Sequence, residues 1–252
     1  MNDEELFKKR LMELAEASYN KNHYTYTGFL SSMELSIYLS MQKELSFVDS
    51  AAFGGADGCE RQMVRFGSEE LFGYAEAFPI ECIKAEPLAV KFAEELTHRD
   101  FLGALMNLGI ERSTIGDILV RDKVGYIFAT TAMADYIVNE LTKVRHTHIK
   151  SCITTDIPDD FAGRKVEQMI MAESERLDGI IAKIYKLSRS QSIELFRSHR
   201  VFIDGGLCEN NSLAAKVGNV ISVRGHGKFE YGGVISTSKK GKKNILVHKY
   251  EG

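Results

Sequence analysis

The stretch RLDGIIAKIYKLSRSQSIELFRSHRVFIDG, residues 176–205, combines two helix patterns with a strand and a glycine turn. Apolar residues recur at helical spacing from Leu177 to Leu187, which predicts a helix with one buried face. Ser188 and Gln191 form a Ser-x-x-Gln capping box, so a second helix is expected to begin there. Alternating residues then predict a strand that ends in the turn. The stretch therefore predicts a small module built from helices and strands.

Charge is divided unevenly along the chain. Residues 174–252 contain 14 Lys and Arg against 7 Asp and Glu, a net charge of +7. Residues 1–173 contain 18 basic and 28 acidic side chains, a net charge of −10. Such an asymmetry predicts a polyanionic partner for the C-terminal part alone. The acidic part would repel phosphates, so we expect it to face away from nucleic acid or to contact protein.

Size and composition limit the class of protein. The 252 residues, 44% of them hydrophobic, suffice for about two or three domains. We find no apolar run near the roughly 18 residues that a membrane span needs, and the acidic N-terminus lacks a secretory signal. The missing apolar run predicts no membrane partner. Four cysteines never form a CxxC pair, which predicts reduced thiols in a cytoplasmic protein without a disulfide framework or a zinc site: Cys59, Cys82, Cys152 and Cys208.

Residues 1–76 are predicted to form a mainly helical region. A first helix follows a cap at Asn2 or Asp3, and a second covers Met33 to Gln42 after Ser31 or Ser32. The glycine-rich residues 53–58 lack the spacing of a dinucleotide or phosphate loop, so they predict a tight turn. Gln62–Phe66 is predicted to be a strand.

Residues 77–155 show the order β-α-β-β-α-β, which predicts a ferredoxin-like α/β sandwich. Strands are predicted over 79–85, 117–120, 124–129 and 144–149, and helices over 100–108 and 131–141. The same order describes the RNA recognition motif, which stacks bases on aromatic residues of its central strands. Tyr126 and Phe128 share one strand face. Since the basic-Gly-aromatic signature is missing and the domain is acidic, a scaffold role is favoured over base stacking.

Two further features precede the C-terminal module. His146 and His148 are predicted to share a strand face, but two histidines lack the additional ligands of a metal site. Surface positions or phosphate contacts are therefore favoured for both. Residues 156–173 form a predicted junction, in which residues 164–171 are a short strand leading into the last module.

The C-terminal residues 174–252 resemble the S4 RNA-binding domain. The motifs that carry this resemblance are Arg176-Leu177-Asp178, Ser188-Arg189-Ser190, Val201-Phe202-Ile203-Asp204-Gly205 and Gly218-Asn219-Val220-Ile221-Ser222-Val223. Three positions depart from the family pattern. Asp204 stands in place of Asn, Asn219 in place of Asp, and His199 in place of a helix-ending Gly. His199 is therefore expected to carry mild backbone strain.

The whole chain is similar to the YlmH-type S4 proteins of bacteria. The stretches that carry this are 53–55 with Glu60-Arg61, 103–110, 115–120, 224–229 and 238–243. The resemblance implies an α+β protein with a helical N-terminal region, a middle domain like an RNA recognition motif and a C-terminal S4 domain. It also implies RNA binding in the cytoplasm, association with the ribosome, and a role on stalled large subunits carrying peptidyl-tRNA.

The resemblance also implies which residues contact RNA. The expected partners are structured rRNA and tRNA, recognised mainly by shape and phosphate. The expected contacts are Arg176, Lys186, Ser188, Arg189, Arg197, Arg200, Arg224, Lys228, Lys239, Lys240, Lys242 and Lys243. For Ser188, a helix cap is favoured over a phosphate contact. No cofactor and no small-molecule substrate are implied.

Two alternatives belong to other functional classes. An RNA-modifying enzyme, such as a pseudouridine synthase or a methyltransferase, would need a catalytic aspartate in a dedicated domain or a glycine-rich methyl-donor loop. Asp178 belongs instead to the S4 helix, and Asp117 and Asp122 have no obvious base beside them. A non-catalytic protein is therefore predicted. The second alternative is an adaptor that docks a protein partner through its acidic N-terminal part.

Overall fold

A computed structural model describes residues 2–158, 164–239 and 241–251 and shows an α+β protein built from helices and antiparallel sheets. The chain divides into two units, an N-terminal unit over Met1–Ala162 and a C-terminal unit over Gly163–Gly252. The finer division into 1–76, 77–155, 156–173 and 174–252 stays a prediction. None of the helices among the described residues is long and apolar enough to cross a membrane.

The N-terminal unit begins with two capped helices around a small sheet. Its elements are α1 Asp3–Lys21, β1 Thr25–Leu30, α2 Ser32–Ser40, β2 Ser50–Phe53, β3 Gln62–Phe66 and α3 Glu69–Phe72. Capping boxes at Asn2 and Ser31 fix where α1 and α2 begin. The strands pair antiparallel in the order β1-β3-β2. The prediction of a mainly helical region did not include β1 and β2, because these strands are too short to show a clear alternation.

The rest of the N-terminal unit follows the predicted β-α-β-β-α-β order with one added strand. Its elements are β4 Ile80–Pro87, α4 His98–Asn107, β5 Ile115–Arg121, β6 Val124–Thr130, α5 Thr131–Glu140, β7 Lys143–Val144 and β8 Thr147–Thr154. The sheet order is β5-β6-β4-β8-β7. Asp122 and Lys123 adopt positive φ angles of 49° and 67°, which closes the predicted tight turn between β5 and β6.

The shared strand face predicted for His146 and His148 is wrong. Arg145 has a positive φ of 53°, and Arg145 with His146 forms the turn between β7 and β8. His148 lies in β8, where it is exposed. Among the described residues, no three His, Cys, Asp or Glu side chains are grouped so that they could hold a metal ion.

The two faces of the five-stranded sheet are covered by different parts of the N-terminal unit. Helices α4 and α5 pack on the face that presents Ile83 and Ile127. Phe128 lies on the opposite face with Cys82, and both pack against residues of the N-terminal region in one buried cluster. That region contributes Phe29, Cys59 and Met63, all at most 4% exposed. The five-stranded sheet is therefore buried on both sides around Phe128.

The C-terminal unit is a six-stranded antiparallel sheet with two helices. Its elements are β9 Arg164–Ala172, α6 Leu177–Ile184, α7 Arg189–Arg197, β10 Val201–Ile203, β11 Gly206–Leu207, β12 Val220–Val223, β13 Gly227–Thr237 and β14 Lys243–Glu251. The sheet order is β11-β10-β12-β13-β14-β9. The apolar stripe of α6 joins Phe196, Phe229 and Val247 in one core. Strand β9, predicted within a junction, pairs with β14 over nine residues and adds Ile170 to that core.

Candidate nucleic-acid interface

Asp178 is the buried acid around which the first helix of the C-terminal unit is organised. Its side chain is 1% exposed and accepts hydrogen bonds from Arg176 Nε at 3.1 Å and Nη2 at 2.7 Å. Asn211 Nδ2 donates a third at 3.0 Å. Burial by itself raises the pKa of Asp178, but the hydrogen bonds from Arg176 and Asn211 outweigh burial and hold the pKa below its usual range. The Arg-Leu-Asp motif is thus a structural ion pair that fixes the Arg176 guanidinium.

Ser188 is the cap of α7, as predicted. Its Oγ accepts from the Gln191 backbone N at 3.2 Å, and Gln191 Oε1 accepts from the Ser188 backbone N at 2.8 Å. Arg189 is the first residue of the helix, and its side chain is 67% exposed. Its Nη2 lies 3.7 Å from Asp178 Oδ2. One buried carboxylate therefore lies close to two arginines, Arg176 just before α6 and Arg189 at the start of α7.

These side chains border a groove of about 300 Å³ beside α6 and the start of α7. Among the described residues, four cationic side chains line it: Arg176, Lys183, Arg189 and Lys242. The acidic lining residues are Glu173, which is exposed, and Asp178, whose charge is offset by Arg176. The groove is therefore a concave surface with an excess of positive charge, which suits a phosphate ligand.

Arg200 and Arg224 lie together outside the groove. Arg224 lies in the turn between β12 and β13, and the Arg200 side chain reaches this turn from the residue before β10. Arg200 Nη2 donates to the Arg224 carbonyl at 2.7 Å, and the Arg224 guanidinium lies 5.0 Å from the Phe202 ring centroid. A side chain at Gly225, whose φ is +84°, would overlap the Arg200 guanidinium. Arg200 thus has a structural role in this turn in addition to any contact with RNA.

The other predicted contacts are scattered over the C-terminal unit. Lys186 is exposed in the α6–α7 turn with a φ of +54°, and the Arg197 side chain is 75% exposed on α7. Lys239 is exposed in the turn before β14, and Lys228 Nζ lies 4.8 Å from the centroid of the Tyr250 ring. These residues do not line the groove.

Lys243 and Lys240 differ from the other lysines. Lys243 Nζ is bound to Glu175, which also accepts a hydrogen bond of 2.7 Å from the Tyr231 hydroxyl. The contacts from Lys243 and Tyr231 hold the pKa of Glu175 below its usual range. Lys243 therefore connects the start of β14 to the segment between β9 and α6. Lys240 lies outside the described residues.

Two of the three departures from the S4 pattern, Asp204 and Asn219, are in contact with each other. Asn219 Nδ2 donates to Asp204 Oδ2 at 2.6 Å, and the Val220 backbone N donates to Asp204 Oδ1 at 2.8 Å. The acid and the amide have therefore exchanged places while the pair is kept. The third departure behaves as predicted, since His199 has a φ of +54°.

Lys183 and Gly179 line the groove but are not among the residues predicted to bind RNA. Both lie on α6 away from its apolar stripe, at a spacing of four residues that places them on one face. The helical periodicity was sufficient to place them on the polar face. Helical periodicity does not predict the concave surface that these residues form with α7 and the residues before β14.

The second candidate RNA surface, the sheet face with Tyr126 and Phe128, is covered. Phe128 is 1% exposed and Tyr126 is partly buried against the same cluster. Gly55 and Gly116 bring backbone so close that a side chain at either position would overlap Phe128. Phe128 is thus a core residue of the N-terminal unit.

Comparison with known proteins shows that this chain is similar to proteins of the YlmH type. Residues 75–155 match the model of the family described as "Putative RNA-binding domain in YlmH". A relative from Bacillus subtilis (strain 168), named "Ribosome-associated protein quality control protein P2", is 26% identical over 249 residues. That alignment covers 98% of this chain and 95% of the relative. The resemblance to YlmH-type proteins indicated by the sequence motifs is thereby confirmed.

One solved structure is also similar. It is described as "Cell division protein ylmH from Streptococcus pneumoniae" and is 21% identical to this chain. The superposition covers 61% of this chain and 92% of that chain, with a TM-score of 0.49.

Proposed function

We propose that this protein is a non-catalytic RNA-binding protein that holds structured RNA with its C-terminal unit, an S4 domain. The observation that carries the proposal is the groove, where Arg176, Lys183, Arg189 and Lys242 meet. The match to an RNA-binding family and the ribosome-associated relative support the same partner class. The RNA in this proposal is rRNA or tRNA on the large ribosomal subunit in the cytoplasm, during quality control of stalled ribosomes.

Phosphate is the chemical group that the groove fits best. An arginine can donate several hydrogen bonds in a fixed fork, so Arg176 can hold Asp178 with one edge and a phosphate with the other. Arg189 and Lys242 are exposed and can approach the same backbone. Because such contacts release counterions, the affinity should fall steeply with salt.

The N-terminal unit has a scaffold role in this proposal, and its residues 77–155 form a ferredoxin-like domain. An RNA recognition motif binds through exposed aromatics of its sheet. Here Phe128 is packed against Phe29 and Met63, which favours structure over base stacking. Asp117, one of the two aspartates considered for catalysis, also supports a structural role, since it accepts hydrogen bonds from the backbone of Glu60 and Arg61.

The proposal is tested by removing two cations from the groove. In the variant R189Q/K242Q we expect about a tenfold loss of affinity for a fluorescein-labelled rRNA hairpin, measured by anisotropy. The slope of log affinity against log salt should fall by about two, because each lost phosphate contact removes close to one unit. The matched control is K21Q/K43Q, which removes the same charge from exposed positions of the N-terminal unit.

Two results would contradict the proposal. One is an unchanged affinity and salt slope for R189Q/K242Q with a native circular dichroism spectrum. The other is an equal loss in K21Q/K43Q, since that would mean that net charge alone governs binding.

A protein-docking role for the N-terminal unit is a second candidate function. It is favoured by an exposed apolar segment after β4, where Leu88 is 67%, Val90 61% and Phe92 83% exposed. A pull-down from nuclease-treated lysate with the wild type and with L88S/F92S tests it. Identical captured proteins in the two samples would remove this candidate.

A further inference from the structure

The groove has an apolar floor beneath its cationic rim. Ala182 and Leu187 line it from α6 and the turn that follows, and Met171 and Ala172 line it from β9. Gly179 lies among them on α6, and a side chain there would meet no atom within 4 Å. A surface that served phosphates alone would not require such a floor, because phosphates bind to polar groups.

The glycine at position 179 has no evident role in the fold. It lies inside a helix, where glycine is about 0.5–1 kcal/mol less favourable than alanine. It does not adopt a left-handed conformation, and no neighbouring backbone approaches it closely. Gly179 keeps the floor of the groove recessed, since a longer side chain at this position would project into the open volume.

The size and the two-part chemistry of the groove match one nucleotide. Its volume of about 300 Å³ lies at the small end of ligand sites, and its lining combines an apolar floor with charged side chains that can fix the orientation of a ligand. An RNA duplex presents phosphates outward and cannot insert a base into such a site. Bases of loops and bulges can be splayed out, and proteins bind them in pockets of this kind.

We propose that the groove takes one unpaired nucleotide of the bound RNA. Its base lies on the floor formed by Gly179, Ala182 and Leu187, and its phosphates lie at Arg189 and Lys242. This inference rests on the proposed function and makes it more specific. The protein recognises structured RNA that carries an unpaired nucleotide, and Gly179 is the position that admits the base.

The test compares two RNA hairpins with two matched glycine variants of the full chain. Each hairpin is closed by a non-nucleotide linker, so that one is fully paired and the other differs by a single bulged nucleotide. We expect the wild type to bind the bulged hairpin at least about tenfold more tightly in an anisotropy titration. In G179L this preference should disappear, while affinity for the paired hairpin stays unchanged because no charge is altered. The control is G103L, since Gly103 also lies in a helix with open space around its Cβ position.

Each outcome decides between the proposals. If the wild type binds both hairpins equally, or if G179L keeps the preference, the nucleotide site is overturned while RNA binding stands. If the wild type binds neither hairpin, the proposed function fails and the nucleotide site fails with it. The helix should tolerate Leu at position 179, because leucine is a better helix former than glycine. A182L fills the same floor from the next turn and must give the same loss of preference.

Discussion

The sheet face around Phe128 and the groove around Arg189 are both surfaces that resemblance associates with RNA, but only the groove is open. Phe128 is 1% exposed, whereas the Arg189 side chain is 67% exposed. A base could stack on Phe128 only if the N-terminal region left the sheet. A match to an RNA-binding domain therefore identifies a fold, whereas the packing of the whole unit decides which surface remains available.

Charge separates the same two regions. The N-terminal unit has 16 basic and 26 acidic residues, and the C-terminal unit has 16 basic and 9 acidic residues. The two units have the same number of basic residues. Acidic residues outnumber them in the N-terminal unit, whereas basic residues are in excess in the C-terminal unit. A phosphate backbone approaching the protein is attracted by the C-terminal unit alone.

The largest expected effect is on the covered face. Phe128→Ala should destabilise the N-terminal unit by about 3–5 kcal/mol, because it removes a fully buried aromatic ring. Hydrogen exchange detected by mass spectrometry measures the change in stability separately for each unit. Affinity for the rRNA hairpin should not change, measured at a temperature where the variant is folded.

Phe92→Ala is the matched control, since the same substitution is made where the ring is 83% exposed. It should change stability by less than about 0.5 kcal/mol. If F128A loses RNA affinity while its exchange pattern stays native, the sheet face binds RNA and the comparison is wrong.

An intermediate effect is expected at Asp178. Asp178→Asn should destabilise the C-terminal unit by about 1–3 kcal/mol at pH 7, because the two hydrogen bonds from Arg176 lose their charged acceptor. The folded-state pKa of Asp178 is depressed, so its contribution is complete above the unfolded pKa and is lost as the pH falls through the folded value. The difference between wild type and variant should therefore shrink below about pH 4.

Urea unfolding at pH 7 and at pH 3, again read by hydrogen exchange in each unit, measures this difference. Asp135→Asn, at an exposed position on α5, is the control and should have no such pH dependence. A difference between D178N and wild type that is constant with pH would show that the ion pair does not stabilise the unit.

The smallest expected effect is at the exchanged pair Asp204 and Asn219. Asn219→Asp alone places two carboxylates together and should cost about 1–2 kcal/mol. Asp204→Asn alone weakens the hydrogen bond between the side chains. The double variant D204N/N219D restores an acid–amide pair, so its stability should lie within about 0.5 kcal/mol of the wild type. Additive costs in this double-mutant cycle would show that the two residues are not coupled.

The features that sequence predicted well are local. The Ser188 capping box and the turn at Asp122 depend on residues a few positions apart, so their patterns are visible in the chain. The two departures at Asp204 and Asn219 were also visible, but the contact between them was not, since it joins residues 15 positions apart. The sequence could therefore show the substitutions without showing that they compensate each other.

The features that sequence missed depend on distant pairing. Residues 164–171 were predicted as a short strand, but the pairing of β9 with β14, more than seventy residues further along the chain, could not be predicted from its own pattern. The short strands β1 and β2 gain their order from β3. Lys183 becomes a candidate contact through the groove it shares with Lys242, a surface that no local pattern contains.

Locating the RNA on the intact protein is the most direct test of whether RNA binds the groove or the sheet face around Phe128. Ultraviolet cross-linking of the full chain to rRNA, followed by mass spectrometry of the attached peptides, reports which surface lies against the RNA. We predict cross-links within residues 176–189 and around Lys242, with none on β4 or β6. Cross-links concentrated on β4 and β6, with none in the C-terminal unit, would contradict the account.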